Sequence, residues 1–203
     1  MQKWKVLPDD SIIRAAADAL ASNGIRALIV ENGEEAKRKV FELVPEGSEV
    51  MAMSSQTNEA IGTYAFIDES GKYSPIKKKF AAMDPKTQQQ AMNAMGAAPA
   101  YAIGSVHAVT KDGHVMIASA TGSQLPAYAY AAMNVIWVVG AQKIVQDMDE
   151  GLKRIYEYCL PLEDARAKKA YGYGSGVNKI LIINKEVKPG RLTMVIVKEV
   201  LGF

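Results

Sequence analysis

Residues 26–54, "RALIVENGEEAKRKVFELVPEGSEVMAMS", read as a strand, a helix and a second strand. "RALIVE" is a short apolar run bounded by turn residues, the pattern of a buried strand. "GEEAKRKVFELV" is an amphipathic helix that must end before Pro45, because proline disfavours helical geometry in the residue preceding it. "SEVMAMS" supplies the second strand. Strands alternating with helices predict a parallel sheet flanked by helices on its faces.

The segments on either side extend the pattern. "DDSIIRAAADALASNG" (9–24) offers Asp and Ser as capping residues, carries Ile12, Ile13, Ala16 and Leu20 near helical spacing, and stops at Asn23-Gly24. "SSQTNEAIGTYAFIDESG" (54–71) predicts a helix or a broken helix, and "DPKTQQQAMNAM" (84–95) a helix with Asp84 at its N-cap and Pro85 at its first position. "SVHAVT", "KDG" and "HVMIAS" (105–119) predict an inserted β-hairpin turning at Asp112-Gly113. A two-residue turn there would set Lys111 opposite His114 and His107 opposite Ala118. There follow a helix within 123–133, the strand "VIWVVG" (135–140), and a long helix from Asp147 through a break at Leu160-Pro161 to Lys169. A glycine-rich loop, "YGYGSGVN" (171–178), leads to the last strands, "KILIIN" and "TMVIVKE", joined through a turn at Pro189-Gly190. With no internal repeat and no low-complexity linker, residues 1–203 read as a single α/β domain with a parallel-rich sheet and an inserted hairpin.

Lys plus Arg number 24 against 22 Asp plus Glu, a balance that points to neither nucleic acid nor an anionic membrane as partner. Lys77-Lys78-Lys79 is a local cluster, expected to be a solvated segment or, alternatively, to contact a phosphate or a partner. "MQKWKVLPDD" lacks the apolar core of a signal peptide, and no stretch approaches the ~18 to 20 apolar residues of a membrane span, so a cytoplasmic location is expected. Cys159 is the sole cysteine and lies in the helical pattern "IYEYCLPL", which predicts a buried structural thiol rather than the alternative, a nucleophile. The hairpin would hold His107 and His114 ~13 Å apart. With one cysteine, that predicts neither a bound metal nor an iron–sulfur cluster. Ten methionines and several aromatics exceed what one core readily takes, which predicts a homo-oligomer.

In open α/β sheets ligands bind outside the carboxyl ends of the strands. Four polar loops leave strand ends. The first holds Ser54, Thr57 and Glu59; the second, Ser119 to Gln124; the third, Gly140 to Lys143; the fourth, Gly172 to Lys179 with Asn178. The second combines the hydroxyls of Thr121 and Ser123 with Gly122, which permits close approach, and the amide of Gln124. That set suits an oxyanion, and an ordinary helix N-cap equally. Lys143 could complement a phosphate or carboxylate, or be a solvated lysine. Glu59 is a candidate general base, or simply a carboxylate favoured at a helix start. His107 shares a strand face with Ser105 and is a candidate general acid or base, or a partly buried hydrogen-bonded histidine. Neither a P-loop nor a GxGxxG fingerprint occurs, which disfavours Walker-type ATP chemistry and a standard dinucleotide fold.

The chain resembles the LUD domain family, named for lactate-utilisation proteins, in the short form related to lactate-utilisation protein C. The resemblance is clearest over "AIGSVHAVTKDGHVMIASATGSQLPAYAYAAMNVIWVVGAQKIVQDMDEGLKRI" and "RLTMVIVKEVLGF". It implies the α/β fold shared by sugar-phosphate isomerases, glucosamine-phosphate deaminases and coenzyme A transferases, with the ligand above the strand ends. Some relatives carry several cysteines before the last strands, where this chain reads "AYGYGSGVNK". An iron–sulfur role is therefore not implied for this loop, which leaves Asn178 and the glycines to act by hydrogen bonding. Two functions follow from the resemblance. One is the binding of a small anionic metabolite, an organic acid, sugar phosphate or coenzyme A derivative. Glu59 or His107 would then move protons, Thr121, Gly122, Ser123 and Gln124 would hold an oxyanion, and Lys143 would neutralise charge. The other is a non-catalytic assembly subunit of a lactate-oxidising redox complex, in contact with iron–sulfur or oxidoreductase partners.

Overall fold

In the computed structural model, which describes residues 2–203, the opening pattern folds as its periodicity dictates. Helix α1 (Asp10–Ser22) leads into β1 (Arg26–Val30), α2 (Gly33–Leu43) and β2 (Glu49–Ala52). α1 buries Ile13, Ala16, Ala17 and Leu20 along one stripe. α2 starts at Asn32, whose side chain accepts the Glu35 N–H (2.9 Å), and buries Ala36 and Val40. The broken helix is α3 (Gln56–Ala60) and α4 (Thr63–Glu69), separated at Gly62, whose φ of 69° lies in the left-handed region.

The chain continues through β3 (Ser74–Pro75), α5 (Ile76–Ala81), α6 (Pro85–Ala97), β4 (Tyr101–Gly104), β5 (Ala108–Thr110) and β6 (Val115–Ser119). Asp84 caps α6 by accepting the Lys86 N–H at 2.9 Å. A wide helical turn over Ala127–Ala131 precedes β7 (Asn134–Gly140) and β8 (Ile144–Val145). Then come α7 (Met148–Arg154), a second wide turn over Ile155–Cys159, α8 (Leu160–Tyr171), β9 (Lys179–Ile183) and β10 (Leu192–Val197).

Among the described residues the strands form two sheets. The larger has the order β1-β10-β7-β4-β2-β3 with every pair parallel. Helices cover both faces, so its central strands are apolar on both sides: all six residues of β10 are buried. Trp137, Met194 and Ile196 pack with Ile13 and Leu20 on one face, while Val138, Val195 and Val197 pack with Val40 on the other. Among the described residues no helix is long and apolar enough to cross a membrane.

Four expectations change. The hairpin exists, but Thr110 rather than Lys111 faces His114. The Thr110 N–H donates to His114 O (2.9 Å), and the turn holds three residues ending in Gly113 at φ 85°. The hairpin is also half of the smaller sheet, of order β8-β5-β6-β9. The last two strands therefore part company, β9 joining the hairpin and β10 the parallel sheet. Tyr101–Gly104 is a parallel strand between β2 and β7. Finally, Pro161 does not break the long helix. The Leu160 N–H reaches Ile155 O, five residues back, and this wider turn accommodates a residue that lacks the usual donor.

The larger sheet also fixes where a crevice must open. From β2 the chain moves outward to the edge strand β3 and returns on the other side as β4. The connections leaving the carboxyl ends of β2 and β4 diverge there, the topological switch point at which α/β sheets bind ligands.

Candidate functional site

A cleft of about 670 Å³ opens at that point, its floor built from the segments after β2, β4 and β7. Lys143 ends the short turn that follows β7. It is 2% exposed, and its Nζ donates to Thr57 Oγ1 (3.0 Å), Ser105 Oγ (3.1 Å) and Val106 O (3.2 Å). Burial, reinforced by the Arg154 charge, pushes the Lys143 ammonium down to about 7, with Cys159 acting weakly the other way.

Arg154, from the last turn of α7, is fully buried behind this floor. Its Nη1 donates to His107 O (2.9 Å) and Cys159 Sγ (2.8 Å), and its guanidinium lies 5.1 Å from the centre of the Tyr158 ring. Nε and Nη2 have no hydrogen-bond partner among the described residues. Nor does any carboxylate there pair with Lys143 or Arg154. Two cations share one buried region without an anion.

His107 lines the same cleft as Lys143, and its carbonyl oxygen is the one that Arg154 holds. Its Nδ1 accepts the Ala118 N–H (3.1 Å), so the neutral ring carries its proton on Nε2. Burial, then the charges of Lys143 and Arg154, push the imidazole down to about 3. Such a ring stays neutral near pH 7 and offers an N–H donor rather than a proton to exchange. Lys143, not His107, is the group that titrates near neutrality.

The other sequence candidates divide by position. Ser54, Glu59, Thr121, Ser123 and Gln124 line the cleft with Lys143 and His107. Thr57 stands behind the lysine, its Oγ1 accepting from Nζ and donating to Leu201 O (3.2 Å). Gly140 serves the final segment of the chain. A Cβ there would lie 2.8 Å from both Glu199 O and Leu201 N. Asn178 ties the glycine-rich loop to the second loop, donating from Nδ2 to Ala120 O (3.1 Å) and from its backbone to Ser119 O (3.2 Å).

The second loop is wired to itself. Ser119 Oγ accepts the Gly122 N–H (2.8 Å) and donates to Gln124 Oε1 (3.0 Å). Thr121 Oγ1 donates to Ser123 Oγ (3.2 Å) and accepts the Ser123 N–H (3.3 Å). Gly122 sits at φ 89°, and a Cβ there would meet Lys179 Cδ at 2.7 Å.

Sequence reasoning missed Arg154, which at the end of a helix resembles a cation placed to complement the helix dipole. It also missed the two wide turns, which leave no compositional trace. Both deliver side chains to the cleft, Tyr128 from the first and Cys159, buried as expected, from the second. Of the lysine cluster, Lys77 reaches the cleft, 5.4 Å from the centre of the Tyr64 ring.

The LUD domain model matches residues 13–197. This chain belongs to the LUD domain family. Among solved structures the LUD domain is similar to a DUF162 family protein from Deinococcus radiodurans. The two are 13% identical with a TM-score of 0.58, over 95% of this chain and 99% of that one, a likeness of fold. A weaker, partial likeness links it to eIF2B beta from Chaetomium thermophilum, 14% identical with a TM-score of 0.37 over 58% of this chain and 44% of that one. No curated protein sequence matches it.

Proposed function

We propose that this LUD domain, a protein of the lactate-utilisation type, binds a small anionic metabolite at the strand ends. Lys143 is its charged contact and His107 Nε2–H its neutral donor. The observation that carries the reading is the pair of buried cations, Lys143 and Arg154, unmatched by a carboxylate among the described residues. Burying an ion without a counter-ion costs several kcal/mol. An assembly subunit gains nothing from that arrangement, whereas a carboxylate or phosphate arriving in the cleft offsets it. Glu59, Ser54, Thr121, Ser123 and Gln124 form polar walls around the same space. Organic acids, sugar phosphates and coenzyme A derivatives all carry the required anion. A lysine poised near neutrality also accepts or releases a proton without a large shift in pH, which suits proton transfer next to a carbonyl.

The test is thermal unfolding in the presence of inorganic phosphate, a 2-hydroxy acid and a coenzyme A thioester. A ligand at 100 times its Kd adds about 2.7 kcal/mol. At least one class stabilises the parent, and Lys143→Met, verified as folded by circular dichroism, loses the response. Stabilisation by none of the three, or an unchanged response in the variant, refutes the reading.

A further inference from the structure

We infer that the anion taken by the cleft belongs to a metabolite that also carries a planar aromatic ring, a nucleotide-type ligand, and that Tyr171 and Tyr173 receive the ring. The inference rests on the anion-binding reading and narrows it. Tyr171 and Tyr173 are 56% and 69% exposed, and both line the same cleft as Lys143. Their rings are stacked, with centroids 5.9 Å apart and planes at 28°. Single exposed aromatics are ordinary on a protein surface, but two rings inclined at only 28° on the wall of one cleft form an aromatic platform, its more exposed member Tyr173.

The chain around them is built to hold that pair. Tyr171 ends α8 with the Arg166 guanidinium 5.4 Å from its ring centre, and Arg166 is fixed by two 2.7 Å bonds to Glu163. Gly172, at φ 79°, reverses the chain. Gly174 then lets the loop lie against α8, since a Cβ there would sit 2.2 Å from Asp164 Oδ1. The next residue is pinned by the Ser175 N–H donating to that same oxygen at 2.9 Å. Tyr173 is thereby returned to the side of Tyr171. A cleft of about 670 Å³ also exceeds the needs of a three-carbon acid and falls in the range that encloses much larger ligands. Of the anions that Lys143 could neutralise, organic acids and sugar phosphates have nothing to stack, whereas an adenine-bearing one does. Base–aromatic stacking tolerates any planar ring, so the class rather than the base is specified.

Calorimetric titration of the full chain with AMP, ribose 5-phosphate and inorganic phosphate tests this. AMP binds at least about tenfold tighter than ribose 5-phosphate, the scale expected of one stacked base. The double variant Tyr171→Ala/Tyr173→Ala loses that advantage and keeps its affinity for ribose 5-phosphate, while Tyr171→Phe/Tyr173→Phe retains it. Equal affinities for AMP and ribose 5-phosphate in the parent, or AMP affinity unchanged in the alanine variant, overturn the ring subsite and leave the anion reading standing. Binding of none of the three probes overturns the ring subsite, and the anion reading then stands or falls on the unfolding test with the 2-hydroxy acid.

Discussion

The loop Thr121–Gln124 and the floor around Lys143 are both polar and both end strands, yet their chemistry differs. In the loop, hydroxyls and amide meet one another, so the polar groups that look free in the sequence are largely spent on the turn itself. On the floor, Lys143 is hydrogen-bonded but not neutralised, and two nitrogens of Arg154 have no partner among the described residues. An abundance of polar residues is therefore weaker evidence for a ligand than one buried charge without a counter-ion, because only the latter carries a cost that a ligand relieves.

The sharpest way to break this contrast is to compare the two regions in one binding assay. Lys143→Met should weaken an anionic ligand by about 2 to 5 kcal/mol, the range for removing one member of a buried charged pair. Thr121→Val with Ser123→Ala should cost the same ligand about 1 kcal/mol or less. Equal losses would put the loop on a par with the floor.

Stability against pH separates the floor's own groups. Lys143 is held near 7 when folded against an ordinary value of 10.5, so between those values the unfolded chain binds a proton that the folded chain does not. Stability should therefore rise with pH across that window by up to about 1.4 kcal/mol per unit, and Lys143→Met should flatten the slope. His107, held near 3 against 6.5, acts in a lower window: stability should fall as pH drops from 6.5 toward 3, and His107→Asn should lessen the fall. Urea denaturation at stepped pH measures both slopes.

Arg154→Met gives a smaller and more specific effect. Its charge is one cause of the lowered Lys143 value, so its loss should move the midpoint of pH-dependent anion binding upward. A midpoint that stays in place would uncouple the two cations. Smallest of all, the double loop variant should lose about 1 kcal/mol of folding stability through its broken cap-like bonds, read as a lower urea midpoint.

The parallel sheet was legible because β1 is a short apolar run bounded by turn residues, while α2 and β2 bury their apolar residues with the period of their own structure. β4 was not, since "YAIG" is short and two of its four residues are small, and only its neighbours β2 and β7 make it a strand. The hairpin was visible but its register was not, because the Asp112-Gly113 pair suits a two-residue turn and also the three-residue turn with a left-handed glycine that forms. Loop position after a strand was enough to bring Ser54, Glu59 and Lys143 to one cleft, and His107, read as part of a hairpin strand, lines it with them. Their tasks were not legible. A histidine is the usual neutral-pH base and a lysine the usual fixed charge, but burial beside Arg154 reverses these habits, and burial is a property of the packed chain.

The lysine floor also bears on the order of events in folding. Lys143 meets Thr57 across 86 residues and Ser105 across 38, and Thr57 reaches Leu201 across 144. Contacts this distant in sequence close late, after the loops between them have lost their freedom. A partly folded chain with β1, α2 and β2 in place would therefore have no anion site at all. Ligand capture during refolding would report completion of the last long-range closures, lagging behind the recovery of helical signal.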